Sequence, residues 1–141
     1  GWKNEELAGV LGMRPLATPF AYNDAMWEKY GVVITQRTNY NDPTTKQPPK
    51  VNIYNRPGEA TQRGSRQLNG LIARGLQLAV CQVSTRAYAG AIATATGAKQ
   101  DAVFEELSAN LVSSTNARLV PAGILAVNRT QERGYTFTFA Y

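Results

Sequence analysis

Leu76-Gln77-Leu78-Ala79-Val80-Cys81 is a nearly continuous apolar run, entered from one helical stretch and left into another. That placement is the pattern of a central parallel strand covered on both faces. Neighbouring parallel strands are joined by crossovers, usually helices, so the run requires an α/β chain with further strands and helices on either side of it.

The N-terminal third offers candidates. Leu7 to Met13 is a short apolar run bounded by acids and by Arg14-Pro15, which suits a buried strand. Pro15 and Pro19 keep the next stretch extended, and Asn23 or Asp24 is placed to cap a short helix through Tyr30 that Gly31 ends. Val32-Val33-Ile34 reads either as a strand stub or as a continuation of that helix. From Thr38 to Gly58, Asn-Tyr-Asn-Asp-Pro, Gln-Pro-Pro-Lys and Asn-Arg-Pro-Gly break regular structure. Irregular loops beyond about 12–15 residues are more often functional than passive, so 38–58 is read as a lid, a binding element or an oligomer contact.

A helix is expected from Glu59, with Leu68, Leu71 and Ile72 as its buried stripe and Gly75 as its stop. After the central strand, Tyr88, Ala91, Ile92 and Ala95 fall at helical spacing within Val83 to Thr96, with Ser84 or Thr85 to cap the helix and Gly97 to end it. Lys99 to Val112 carries Val103, Phe104, Leu107 and Leu111 on one face of a further helix. Ala117 to Val120 is a short strand, and Pro121 opens a helix to Gly134 with Ala122, Leu125 and Ala126 as its stripe. Tyr135 to Tyr141 alternates aromatics with Thr or Ala, which suits a strand at a sheet edge or beside a subunit neighbour.

Composition narrows the chemistry. The 141 residues suit one domain, 43% of them are hydrophobic, and no apolar stretch approaches the roughly 18 residues that span a bilayer. One cysteine and no histidine exclude an intrachain disulfide and remove nearly all zinc, haem and copper ligand sets, so no metal or other cofactor is expected. Without histidine, a nucleophile must be activated by fixed dipoles or by arginine. The net charge is +5, and Arg56, Arg63, Arg66 and Arg74 fall close together. No nucleic-acid motif accompanies them, so they read as a solvated helix face and nucleic acid is not an expected partner. The opening Gly1-Trp2-Lys3-Asn4-Glu5-Glu6 has neither an initiating Met nor a leader pattern and reads as the start of a processed or truncated chain.

The candidate site follows from strand polarity. In doubly wound sheets ligands bind beyond the carboxyl ends of the strands, where helix N-termini turn free N–H groups outward. Cys81 stands at such an end. The dipole of the following helix and the amides from Val83 to Thr85, Ser84 among them, favour thiolate over thiol, and Arg86 lies one turn further on. The plainer alternative is that Cys81 is a small buried hydrophobe. Arg14, Tyr22, Asn23 and Asp24 follow the first strand and share the same sheet edge if that strand is parallel to the central one. Asp24 has the alternative role of a helix cap and Tyr22 that of packing. Asn128, Gln131 and Glu132 read as surface solvation.

Leu-Gln-Leu-Ala-Val-Cys, Arg-Leu-Val-Pro-Ala-Gly and Gln-Glu-Arg-Gly-Tyr, each in its helix and strand setting between Asn69 and Tyr141, resemble the DsrE/DsrF-like family, particularly its exported, intracellular sulfur oxidation branch. Ala21 to Tyr30 and Asp42 to Lys46 add further likeness. The resemblance implies a single domain of three-layer α/β/α fold around a mainly parallel sheet, assembled into trimers or hexamers. It also implies a sulfurtransferase or sulfur carrier in which Cys81 holds persulfide sulfur, exchanged with a donor or acceptor protein. The family pattern has a strand and helix before Leu7, so the chain is expected to lack that unit. A periplasmic location follows from the exported branch, whose members often carry a twin-arginine signal, with the cytoplasm as the alternative. A rival from another class is a non-catalytic oligomeric binding or scaffold protein of the same fold, working through its Pro/Asn loop.

Overall fold

The computed structural model describes residues 8–55 and 67–138. Three strands, β1 (Val10–Met13), β2 (Gln77–Cys81) and β3 (Ala117–Val120), form a parallel sheet in the order β1-β2-β3. Met13 lies opposite Val80, and Cys81 opposite Val120, so all three carboxyl ends meet at one edge. Around the sheet run α1 (Asp24–Thr38), α2 (Leu68–Ala73), α3 (Gln82–Thr96), α4 (Gln100–Ala109) and α5 (Gly123–Gln131). The chain is therefore mixed α/β. None of its described helices is long and apolar enough to cross a membrane.

Alternation along the strands sorts the core. Leu78 and Val80 share a face with Met13 and Ala117 and pack with Ala21 and Leu68. Gly12 and Ala79 turn to the other face, where α5 brings Val127 Cγ2 to 3.7 Å from where a Cβ on Gly12 would be. A second cluster joins three helices through Trp27, Tyr30 and Ile34 of α1, Tyr88 and Ile92 of α3, and Val103 and Leu107 of α4. Each fully buried side chain of this size contributes about 1.5–3 kcal/mol, so these helices are held by packing more than by propensity.

Asn23 caps α1, its side chain accepting from the Met26 N–H at 3.3 Å. Gly31 does not end that helix, which runs seven residues further to Thr38 and absorbs Val32-Val33-Ile34. The glycine serves a close approach instead: the Pro49 carbonyl lies against it where a Cβ would stand. The loop after α1 is consequently strapped down. Asn52 receives no solvent: its N–H donates to Asp24 Oδ1 at 2.8 Å, and its Nδ2 donates to the carbonyls of Phe20 and Tyr22 at 2.7 and 2.8 Å. Tyr40 and Tyr54 set their rings edge-on to Phe20.

Other boundaries also move. Val10 and Leu11 are exposed, because β1 is an edge strand with β2 as its one neighbour among the described residues. The helix expected from Glu59 is seen as Leu68–Ala73, and its residues 59–66 lie outside the described residues. Gly75 follows it at φ 97° and Gly97 closes α3 at φ 75°, a conformation only glycine adopts freely. Ser84 and Thr85 do not cap α3; Cys81 occupies the N-cap position. Helix α4 stops at Ala109, short of Val112, because Leu111 bridges to Tyr22 and the Val112 N–H donates to the Ala21 carbonyl at 2.8 Å. Helix α5 starts at Gly123 rather than Pro121 and leaves Leu125 exposed. Residues 135–138 form no strand, and 139–141 lie outside the described residues.

Candidate functional site at the carboxyl edge of the sheet

Two strand-to-helix junctions meet at this edge. Strand β2 runs straight into α3 with Cys81 as N-cap, and β3 passes through Pro121 and Ala122 into α5. Both helices thus begin beside the same sheet edge and turn their free N–H groups toward it. Between them is an open depression of about 210 Å³, lined by Arg14, Pro15, Cys81, Val83, Ser84, Ala122, Gly123 and Ile124. It is smaller than the roughly 300–1,000 Å³ of sites for drug-sized molecules, so it suits a ligand of a few heavy atoms.

The Cys81 residue is 5% exposed, and that small exposure opens into the depression. Burial pushes its thiol up. The Ser84 hydroxyl and the N–H groups of Ser84, Gly123 and Val83 pull it down, and the balance falls below the ordinary thiol value. Val83 and Ser84 are the second and third residues of α3, the positions whose amides a capping oxygen normally meets. The sulfur stands in that place without a tight capping bond, and its stabilisation is the summed field of donors from two helices.

Arg14 lies at the carboxyl end of β1 with its stem across Gly123: a Cβ on Gly123 would be 2.8 Å from Arg14 Cδ. Its guanidinium has no ion-pair partner among the described residues. Ser84 is 8% exposed and belongs to the lining.

The remaining candidates sit elsewhere. The turn at Thr18–Ala21 carries the chain away from the edge, so Tyr22 is buried in the helix cluster and Asn23 is engaged with Met26 and, at 3.1 Å, with Asn110. Asp24 holds Asn52. Thr85 is buried and donates to the Cys81 carbonyl at 3.0 Å, which steadies the junction from behind. Arg86 faces the other way, stacked at 4.1 Å on Phe104 and paired with Asp101 at 3.2 Å. Burial drives the Tyr22 phenol far above its usual value, with the Thr85 hydroxyl pulling against it, yet Tyr22 Oη has no partner in bonding geometry among the described residues.

Sequence reasoning missed Gly123 and Ala122. The signal was present: Leu119-Val120-Pro121-Ala122-Gly123 is a second strand-to-helix handover, equivalent to the one at Cys81. Comparison of the chain with protein-family models, with curated proteins and with solved structures finds no match.

Proposed function

We propose that the protein carries sulfane sulfur as a persulfide on Cys81, as a sulfur-relay or sulfane-sulfur-binding protein of DsrE-like, three-layer fold. The observation that supports this is the convergence of amides from α3 and α5 on one sulfur that opens into a small depression. A persulfide needs a nucleophilic thiolate and donors to hold the terminal sulfur. Thiolate attack on the sulfane sulfur of a donor R–S–S⁻ forms the Cys81 S–S bond, breaks the donor's S–S bond and releases R–S⁻. Charge and electrons balance without a cofactor. Transfer to an acceptor thiolate is the reverse step.

The same reading has the chain working as a homo-oligomer, a trimer or hexamer, in the periplasm or alternatively the cytoplasm, with a protein as sulfur donor or acceptor. The exposed Leu16, Val32, Leu125 and Phe137 are the kind of surface that subunits cover. Incubation with a sulfane donor followed by intact-mass measurement tests the relay. One added sulfur atom on folded wild type, absent from Cys81→Ser and from the urea-unfolded chain, is expected; no adduct, or an equal adduct on the unfolded chain, rejects it.

The exposed apolar surface also supports a second reading, a non-catalytic oligomeric scaffold. Assembly and partner binding that persist unchanged in Cys81→Ser, in a chain that takes up no sulfur, favour that alternative.

A further inference from the structure

Three features of the depression point to a ligand beyond the sulfur itself. Arg14 brings a guanidinium with no carboxylate partner among the described residues, its stem held over Gly123. Gly123 brings the first N–H of α5, which comes to the depression from a second helix. Ser84 is more than nine-tenths buried and lines the depression, and among the described residues its hydroxyl bonds to no oxygen or nitrogen. Among the described residues no acidic side chain is in the lining. A planar fork of N–H donors beside helix N-termini matches an oxyanion.

Resting on the relay reading above, we propose that the sulfur donor is a small oxyanion-bearing sulfane compound, with its oxygens on Arg14 and the Gly123 N–H and its sulfane sulfur at Cys81. Thiosulfate is the smallest member of this class. The Cys81 thiolate attacks its sulfane sulfur, the Cys81 S–S bond forms, and the donor's S–S bond breaks with its electron pair leaving on sulfite. One thiolate and one dianion become one persulfide anion and one dianion, so no other reactant is required. Arg14 offsets the repulsion between the donor and the thiolate, a cost that would otherwise oppose binding. The depression has room for such an ion.

Sulfate, an unreactive ion of the same charge and shape, isolates the binding step. Titrated into the folded protein at constant ionic strength, it is expected to shift the amide resonances of Gly123, Val83 and Ser84 along a saturating curve. Arg14→Gln should weaken it roughly tenfold, the size of one lost charge-assisted contact. Gly123→Ala, which displaces the arginine stem, should weaken it similarly, whereas Cys81→Ser should bind it at least as well. Absence of saturation into the tens of millimolar, or equal affinity in Arg14→Gln, overturns the proposal. Loading of Cys81 by an uncharged organic trisulfide, with a small thiol added to carry off the organic group as a disulfide and leave the persulfide, equally fast in wild type and Arg14→Gln and without sulfate binding, also overturns it and leaves the relay standing. Saturable sulfate binding with no loading from any donor rejects the relay and the donor assignment together.

Discussion

Gly31 lies in the middle of α1 with the carbonyl of Pro49 pressed against its Cα, so that the helix and the loop returning across it share a space no side chain can enter. The contact is to backbone, which cannot swing aside. It fixes how closely residues 39–55 approach α1, and with them the Asn52 bonds to Asp24, Phe20 and Tyr22.

Gly31→Ala should therefore destabilise the protein despite alanine's better helix propensity. Overpacking of this kind costs about 1–3 kcal/mol, against a propensity gain near 1 kcal/mol. Urea unfolding should show a net loss, accompanied by changed signals from Tyr40 and Tyr54. A gain in stability would show that the loop does not sit where it is described.

Tyr22→Phe should have the opposite sign. The phenol oxygen is buried without a partner among the described residues, and deleting such a group relieves about 1 kcal/mol. A higher midpoint in thermal or urea unfolding is expected; a clear loss would mean that Thr85 is a true partner of the phenol.

Glu106 links α4 to α1, accepting from Lys29 Nζ at 2.5 Å and Tyr30 Oη at 2.6 Å. The bond from Lys29 and then that from Tyr30 hold its carboxyl below the usual range, against a smaller opposing effect of burial. A depressed carboxyl stabilises the fold above its unfolded value, near 4.3, and loses that contribution as pH falls through the folded value. Glu106→Gln should thus cost about 0.5–1 kcal/mol at neutral pH, a partly exposed ion pair being screened, and nearly nothing in acid. A stability gap that stays constant across an acid titration would contradict this account.

The Cys81 thiol should be alkylated with a pH midpoint below that of the same chain in urea. Ser84→Ala should raise the midpoint, because it removes a hydroxyl that favours the thiolate. A midpoint that Ser84→Ala leaves unmoved would remove the hydroxyl from the set of donors around the sulfur.

Parts of this architecture were legible in the residues and parts were not, for identifiable reasons. The run ending in Cys81 announced a central parallel strand because burial on both faces leaves no polar alternation, and Gly97 marked the end of α3 because its conformation disfavours any side chain. Gly31 misled because a glycine that admits a neighbouring backbone looks, in one dimension, like a glycine that stops a helix. The alternation from Tyr135 misled for a related reason: a period of two describes what a strand could bury, and the Tyr135 N–H instead turns back to the Thr130 carbonyl at 3.2 Å. Of the site, Arg14, Cys81 and Ser84 could be placed from strand order alone. Gly123 could not, since its contribution is a backbone N–H and depends on α5 starting beside α3.

Cys81 is the chain's one thiol and is almost wholly covered. A bulky maleimide can reach it only while the corner between β2, α3 and α5 is briefly parted, so the labelling rate, divided by that of an open thiol, measures how often this corner breathes. The native sequence supplies that reporter with no background from other cysteines, and anything that settles between Arg14 and Ser84 should announce itself by slowing the reaction.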